Sequence, residues 1–177
     1  MHKIITLLIT LAFLTLNVFA EEFQYILHDN CIDELFLTAE KSLNTEDIEV
    51  LRIPQGIILR FEIKNLLTEY ENLSSETLKK IAKIEYILSK IKNLVIIEVH
   101  TGDFSSRNSK KPKNWEISTV IANKIEDKFF KSGEGLDRNR ILSVGYGEFL
   151  PPKNTPYNGG KYINRVDIII LCNISGE

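Results

Sequence analysis

The sequence has few of the residues that build disulfide-stapled or metal-bound proteins. It contains two cysteines among 177 residues, which excludes a disulfide-rich scaffold and a zinc site with four thiolate ligands. Its three histidines are scattered, so a histidine-based catalytic metal centre is not expected. The 22 basic residues are balanced by 24 acidic ones, a formal charge of −2, so no basic excess points to nucleic acid. We therefore expect no metal, no cofactor and no nucleic-acid partner.

Motifs that would indicate catalysis are missing as well. Serine, histidine and aspartate are present, but no nucleophile elbow, metal-binding motif or paired-carboxylate signature accompanies them. Hydrophobic residues make up 44% and charged residues 26%, which is the balance of a chain that folds into a globular domain. The length suits one domain with a short extension. We expect a folded protein that is not an enzyme.

The first twenty residues have the composition of a secretory signal peptide. Lys3 gives a cationic start, and the run from Ile4 to Ala20 contains no charged residue. A cationic start, an apolar run and a small residue before a polar chain are typical of such signals. We predict cleavage after Ala20, so that the mature chain begins at Glu21 and keeps no membrane span. An uncleaved anchor is the alternative, because about 17 apolar residues reach the lower limit of a span.

Export would change how the two cysteines are interpreted. An oxidising compartment permits a disulfide between Cys31 and Cys172, which would tie the mature N-terminal segment to the last predicted strand. The alternative is two independent, partly buried thiols.

The hydrophobic pattern predicts alternating strands and helices after a short lead. Residues 21–46 form an N-terminal extension in which Ile32–Leu43 is a candidate helix. Leu94–Val99 is an apolar run broken only by Glu98, which is typical of a central strand buried on both faces. Alternation and β-branched content predict further strands at Ile48–Ile53, Ile57–Ile63, Ile141–Tyr146 and Val166–Leu171.

Two longer helices are predicted between these strands. Ser74 or Ser75 is a candidate cap for a helix that ends at Asn93. Asn114 is a candidate cap for the next helix, which glycines at 133 and 135 would end. Strands that alternate with helices imply an α+β fold, a mixed sheet with helices packed on it.

Four short motifs follow one another in the second half of the chain. They are His100-Thr101-Gly102 after a strand, Asn114-Trp115-Glu116-Ile117-Ser118 at a helix start, Gly145-Tyr146-Gly147-Glu148, and Asn164-Arg165-Val166-Asp167-Ile168. In this order they resemble the OmpA-like peptidoglycan-binding domain, over roughly residues 47–172. The spacing looks most like the periplasmic part of flagellar stator B proteins. The resemblance implies an OmpA C-terminal-like mixed sheet, and a domain spanning residues 47–177.

The resemblance also implies non-catalytic binding to the stem peptide of the cell wall. In the family, the Asp of a His-Thr-Asp motif and the Arg of a Leu-Ser-x-x-Arg helix clamp the amine and the carboxylate of diaminopimelate. A carboxylate pairs with an ammonium group, and a guanidinium forks onto a carboxylate. In this chain Gly102 stands at the Asp position, with Asp103 one residue later, and Ile121 stands at the Arg position. The motifs that are typical of the fold are therefore present, whereas the two residues that would clamp the ligand are replaced.

Six residues remain as candidates for peptidoglycan binding, each with a simpler structural interpretation. Asp103 takes over the missing carboxylate or is a solvated loop acid. His100 and Thr101, at the end of a strand, contact ligand or make ordinary hydrogen bonds. Asn114 supports the site or only caps its helix, and Arg165 binds ligand or forms a structural ion pair. The six candidates are His100, Thr101, Asp103, Asn114, Ser118 and Arg165.

Two functions from different classes follow. The first is a periplasmic module, associated with the cell wall or the outer membrane, that binds peptidoglycan. An apolar Ile121 beside Asp103 would suit a third stem-peptide residue without a side-chain carboxylate. The second is a degenerate domain in which Ile121 is merely core, the ligand site is lost, and the fold serves a protein partner in an envelope or flagellar assembly.

Overall fold

The computed structural model describes residues 29–43, 47–64, 72–102, 113–131, 136–149 and 164–172. Within these ranges the chain forms one five-stranded sheet in the order β1-β2-β5-β3-β4, in which only β3 and β4 are parallel. Every predicted strand is confirmed, with ends that differ by at most one residue. The strands are β1 (Glu49–Ile53), β2 (Gly56–Glu62), β3 (Val95–His100), β4 (Ile141–Gly147) and β5 (Arg165–Leu171).

Three α-helices accompany the sheet in the described part of the chain, which confirms the predicted α+β class. The first, α1, covers residues 29–43 and includes the predicted helix Ile32–Leu43. The others are α2 (Ser75–Leu88) and α3 (Asn114–Lys131), and a short 3-10 helix, Arg138–Arg140, precedes β4. None of the helices in the described ranges is long and apolar enough to cross a bilayer. The predicted signal peptide and the glycines at 133 and 135 lie outside the described residues.

The core lies on one face of the sheet because side chains alternate along each strand. In β3, Val95, Ile97 and Val99 are buried, whereas Ile96 and Glu98 are only partly covered. The expectation that this strand is buried on both faces is therefore wrong. We call the side that carries Glu98 the outer face. All three helices contribute to the core with apolar side chains at helical spacing, such as Leu35, Ala39, Ile81, Ile84, Ile121 and Ile125.

The helix α1 is fastened to the rest of the domain. Cys31 forms a disulfide with Cys172, with the two Cα atoms 6.0 Å apart, so the two cysteines are not independent thiols. Asp33 accepts an ion-paired hydrogen bond from Arg52 of β1. The Arg52 guanidinium also lies 4.2 Å from the centre of the Phe36 ring. The domain boundary after residue 46 stays a prediction. A truncation at this boundary would remove the contacts that α1 makes with the rest of the domain.

The helix α2 begins as predicted and ends early. The Ser74 hydroxyl accepts a hydrogen bond from the Thr77 N–H at 3.2 Å, so Ser74 is the cap. The end predicted at Asn93 is wrong, because the helix stops at Leu88. The Arg140 guanidinium donates to the carbonyl oxygens of Leu88, Ile91 and Asn93. A cation that occupies these carbonyls stabilises a helix end at Leu88.

Candidate functional site

Several secondary-structure elements begin or finish at one end of the sheet. The parallel strands β3 and β4 finish there, the antiparallel strand β5 begins there, and α3 starts beside them. We call this region the site end, and its residues are Thr101, Gly102, Asn114, Gly147, Glu148 and Asn164. Thr101 and Gly102 after β3, the first residue of α3 and the start of β5 lie together there.

Thr101 joins three elements at the site end. Its N–H donates to the Gly147 carbonyl at 2.9 Å, which continues the β3–β4 pairing by one residue. Its hydroxyl donates to the Asn114 carbonyl at 2.8 Å and so holds the start of α3. Because the Thr101 side chain is fully buried and bonded within the protein, it fixes the shape of the site end.

Asn114 does not cap α3 as expected. The Ile117 N–H donates to the Lys113 carbonyl at 3.1 Å, which makes Lys113 the cap residue and Asn114 the first helical residue. The Lys113 N–H donates in turn to the Glu116 carboxylate at 2.7 Å, as in one half of a capping box. The Asn114 amide instead donates to Glu148 at 2.6 Å and ties α3 to the segment after β4.

Ser118 and Gly147 bring α3 and β4 into direct contact. The Ser118 hydroxyl accepts the Gly147 N–H at 2.9 Å and donates to the Trp115 carbonyl at 3.0 Å. Gly147 has φ +56°, and a Cβ there would lie 2.7 Å from the Trp115 nitrogen. A Cβ on Gly145 would lie 2.2 Å from the Thr119 nitrogen. Only glycine allows this approach, so both glycines are needed for the close packing of α3 on β4.

Gly102 meets the segment that precedes β5. Its N–H donates to the Asn164 side-chain oxygen at 3.1 Å. Asn164 belongs to the last sequence motif but was not among the candidate residues, since nothing in the sequence places its amide against the end of β3. The candidate Asp103 follows Gly102 and lies outside the described residues.

Arg165 is engaged in a buried ion cluster on the outer face. Its Nε donates to the Asp167 carboxylate at 3.0 Å. Arg60 of β2 binds both oxygens of the same carboxylate, at 2.7 and 2.9 Å. Burial raises the pKa of Asp167, but the hydrogen bonds and charge of Arg60, together with Arg165, outweigh burial and leave that pKa below its ordinary value. The ion pair predicted as one alternative for Arg165 is present.

His100 lies next to this cluster and is almost fully buried. Its ring stacks on Tyr146, with 5.2 Å between the centroids. Its Nε2 is 3.5 Å from Glu98 and 4.0 Å from Asp167, and neither ring nitrogen has a hydrogen-bond partner among the described residues. Burial raises the pKa of the Tyr146 hydroxyl, and the neighbouring Glu98 carboxylate raises it further. Arg60 and Tyr146 were not candidates, because cross-strand contacts depend on the strand order.

Ile121 and Trp115 are two further residues that are relevant to ligand binding. Ile121, at the Arg position of the family motif, is fully buried, which confirms that it belongs to the core. Trp115 is 49% exposed at the start of α3 and offers an aromatic surface at the site end. Five of the six candidate residues, all except Asp103, are described, and these five lie near one another. They serve mostly as hydrogen-bond or ion-pair partners within the protein.

Comparison with known proteins identifies similar folds. No protein-family model matches the sequence. The curated relative "Uncharacterized protein YtxE" from Bacillus subtilis (strain 168) is 33% identical over 98 residues, or 55% of this chain. The chain spans only 39% of the length of that relative.

Three solved structures share most of this chain's architecture. A MotB-like protein from Desulfovibrio vulgaris has a TM-score of 0.67 at 18% identity, over 89% of this chain and 97% of that chain. The cell wall anchor of the T6SS from Pseudomonas aeruginosa has a TM-score of 0.61 at 16% identity, over 78% and 97%. An outer membrane protein from Borrelia burgdorferi B31 has a TM-score of 0.51 at 28% identity, over 72% and 100%.

Proposed function

Because the chain has the fold of OmpA-like domains, as its motifs predicted, we propose that it is a non-catalytic envelope protein that binds the peptidoglycan stem peptide. The observation that carries this proposal is the convergence of β3, β4, β5 and α3 at the site end. The cell wall anchor and the outer membrane protein with the same fold support an envelope role. The ligand would meet Gly102, Trp115 and the loop that contains Asp103.

The proposed location is the periplasm, at the cell wall or the outer membrane. Residues 1–20 would direct export, with cleavage after Ala20. The Cys31–Cys172 disulfide supports this location, because disulfides persist in oxidising compartments. Mass spectrometry of the protein from its native host is expected to find Glu21 at the N-terminus. An intact Met1 in the membrane fraction would replace the cleaved signal with an anchor.

The proposed ligand is a stem peptide whose third residue lacks a side-chain carboxylate. In the family that the motifs resemble, the arginine at this position forks onto the extra carboxylate of diaminopimelate, whereas Ile121 is apolar and fully buried. Arg60 and Arg165 both hold Asp167. A diamine such as ornithine or lysine needs only an acid for its ammonium group, which Asp103 would supply.

Binding to purified sacculi tests the proposed function directly. The chain beginning at Glu21 is expected to co-sediment with sacculi, and Asp103→Ala is expected to weaken binding by about 10- to 150-fold, the loss of a charge-assisted hydrogen bond. Glu34→Ala, an exposed acid on α1, is the control. Calorimetry with an ornithine and a diaminopimelate stem peptide tests the preference. Tighter binding of the diaminopimelate peptide would refute it.

The alternative function is a structural or partner-binding domain without a ligand site. It is favoured by the internal hydrogen bonds of Thr101, Asn114 and Ser118, whose side chains are buried. If the alternative function is correct, neither stem peptide is expected to bind, although the protein is folded. Ile121→Arg is a poor test of the pocket, because it would place a guanidinium in the core and destabilise the fold.

A further inference from the structure

Two exposed aromatic side chains lie at the site end. Trp115 at the start of α3 is half-exposed, and Phe149, two residues after the end of β4, is 65% exposed. Aromatic side chains usually bury most of their surface, so two of them in solvent beside a candidate site indicate a binding surface. A third exposed aromatic residue of the described ranges, Tyr86, lies near the end of α2, just before β3 begins at the opposite end of the sheet.

The backbone holds Trp115 and Phe149 close together. A Cβ on Gly147 would lie 2.7 Å from the Trp115 nitrogen, so the two backbones are in contact. Phe149 follows Gly147 by two residues, which span at most about 7 Å. The Asn114 amide donates to the Glu148 carboxylate at 2.6 Å. Because these two residues directly precede the two aromatic residues, their hydrogen bond fixes the segments that carry both rings.

Further hydrogen bonds restrain the backbone of each aromatic residue. The Trp115 carbonyl accepts hydrogen bonds from the hydroxyls of Ser118 at 3.0 Å and Thr119 at 2.7 Å. The Phe149 N–H donates to the Tyr146 carbonyl at 3.0 Å. Stiff rings on a restrained backbone lose little conformational entropy when a ligand covers them, which favours binding through their flat faces.

A sugar ring is the ligand whose chemistry suits such a pair. One face of a pyranose chair carries mainly C–H groups, which pack on an aromatic ring, while the hydroxyl and acetamido groups at its rim form hydrogen bonds. The indole N–H of Trp115 is a donor for such groups. The exposed carboxylate of Glu148 keeps acceptor capacity beyond its bond to Asn114. The surface therefore offers both kinds of contact that a sugar needs.

The position of the two rings fits the stem peptide proposed above, because that peptide is joined through its first residue to a sugar of the glycan strand. The Thr101 hydroxyl donates to the Asn114 carbonyl at 2.8 Å, so the end of β3 lies within one residue of Trp115. A third stem-peptide residue bound beyond Gly102 is separated from the sugar by two residues, which span at most about 7 Å. The sugar is thus within reach of both rings.

We propose that Trp115 and Phe149 form a second subsite, which stacks on the sugar rings of the glycan strand. The protein would then recognise sugar and peptide together. This inference rests on the proposed function for the placement of the peptide, and on the exposure and the fixed backbone of the two rings for the placement of the sugar.

Tryptophan fluorescence tests the subsite without the peptide, because Trp115 is the only tryptophan of the chain. The chain beginning at Glu21 is titrated with a tetrasaccharide of alternating N-acetylglucosamine and N-acetylmuramic acid. We expect the emission to shift to shorter wavelength, since a sugar ring that covers the indole removes water from it. An emission spectrum that is unchanged at millimolar tetrasaccharide would overturn the proposal.

Calorimetry measures the preference for sugar that the subsite requires. The two ligands are the ornithine stem peptide alone and the same peptide joined to its disaccharide. The joined ligand is expected to bind several-fold more tightly, and Phe149→Ala is expected to reduce this preference by roughly 2- to 10-fold, the contribution of one aromatic contact. The matched control is Tyr86→Ala, an exposed aromatic residue on α2, which keeps the preference. Equal affinities of the unsubstituted chain for the two ligands would overturn the proposal.

The sugar subsite and the stem-peptide site fail in different ways. Binding of the tetrasaccharide without any binding of the bare stem peptide would refute the stem-peptide function and keep the sugar subsite. Binding of the bare peptide without a preference for the joined ligand would keep the proposed function and refute the subsite. Binding of neither ligand would refute both, and would assign the two exposed rings to a protein partner.

Discussion

The hydroxyl of Ser118 accepts the backbone N–H of Gly147 at 2.9 Å, so a side chain of α3 completes the hydrogen bonding of β4. Both residues are buried, and their bond lies at the site end. A serine there is needed because a buried N–H without an acceptor is costly. In this chain the serine of the helix motif holds the site together, and it would act on ligand binding through the position of α3.

Replacing Ser118 by alanine is expected to destabilise the fold by about 1–3 kcal/mol, because the Gly147 N–H loses its buried acceptor. The matched control is Thr119→Ala, whose hydroxyl only donates to the Trp115 carbonyl on a more exposed part of the helix. Urea denaturation compares the two variants. Equal losses of stability would mean that the Ser118–Gly147 bond has no special role.

Gly145→Ala is expected to cost about 1–3 kcal/mol or more, because its Cβ would meet the Thr119 backbone at 2.2 Å and push α3 from β4. Leu142→Ala is the control on the same strand, since Leu142 is 58% exposed and removing its side chain opens no cavity. The thermal midpoint of each variant measures the effect. An unchanged midpoint for Gly145→Ala would contradict the close approach of the two elements.

Stability is expected to fall in acid in a way that depends on Asp167. Its pKa in the folded protein lies below the ordinary value, so its ion pairs contribute stability above the ordinary carboxyl range. That contribution is lost as the pH falls through the lowered pKa, below about pH 4. Asp167→Asn is expected to cost about 3–5 kcal/mol at pH 7, because Arg60 and Arg165 lose their buried partner.

Urea denaturation between pH 2 and pH 7 measures this dependence. The difference between the unsubstituted chain and Asp167→Asn is expected to shrink as the pH is lowered. The control is Asp127→Asn, which removes an exposed pair with Lys131 and is expected to have a much smaller effect at every pH. A difference that already shrinks well above about pH 4 would contradict the lowered pKa of Asp167.

Reduction of the Cys31–Cys172 disulfide is expected to destabilise the mature chain by about 2–5 kcal/mol, because the bond closes a long loop in the unfolded chain. The variant with both cysteines replaced by serine is expected to unfold at the midpoint of the reduced protein. Dithiothreitol then lowers the midpoint of the unsubstituted chain only. If the reductant had no effect on either protein, the disulfide would be absent in solution.

Removing residues 21–46 is expected to leave a domain, residues 47–177, that folds with reduced stability. All five strands and the two longer helices lie within this span. The truncation removes the core side chains of Leu35, Ala39 and Leu43 as well as the disulfide. Comparison with the double serine variant separates the loss of α1 from the loss of the disulfide. A truncated chain without far-ultraviolet circular dichroism of a folded protein would move the domain boundary to before α1.

The sequence alone determined the elements, because their signals are local. Alternation predicts the strand Ile57–Ile63, and the spacing of Ile117, Ile121 and Ile125 by four residues predicts one face of a helix. The motif order also predicted the fold, through the family resemblance that it carries. One predicted helix end was wrong because a residue distant in sequence binds the carbonyl groups there. The helix α2 ends at Leu88 because Arg140 occupies the carbonyls beyond it, and no residue near Asn93 in sequence reveals this.

Only the tertiary structure decided which polar groups meet. Arg60 and Asp167 are 107 residues apart and bind each other because β2 lies beside β5. In the sequence Glu98 interrupts an apolar run and His100 opens a candidate motif, and only the position of β5 beside β3 brings both of them next to Asp167. Side-chain periodicity is a property of a few neighbouring residues, whereas cross-strand pairing depends on the order of strands in the sheet. The partners of the buried charges were for that reason beyond the reach of the sequence.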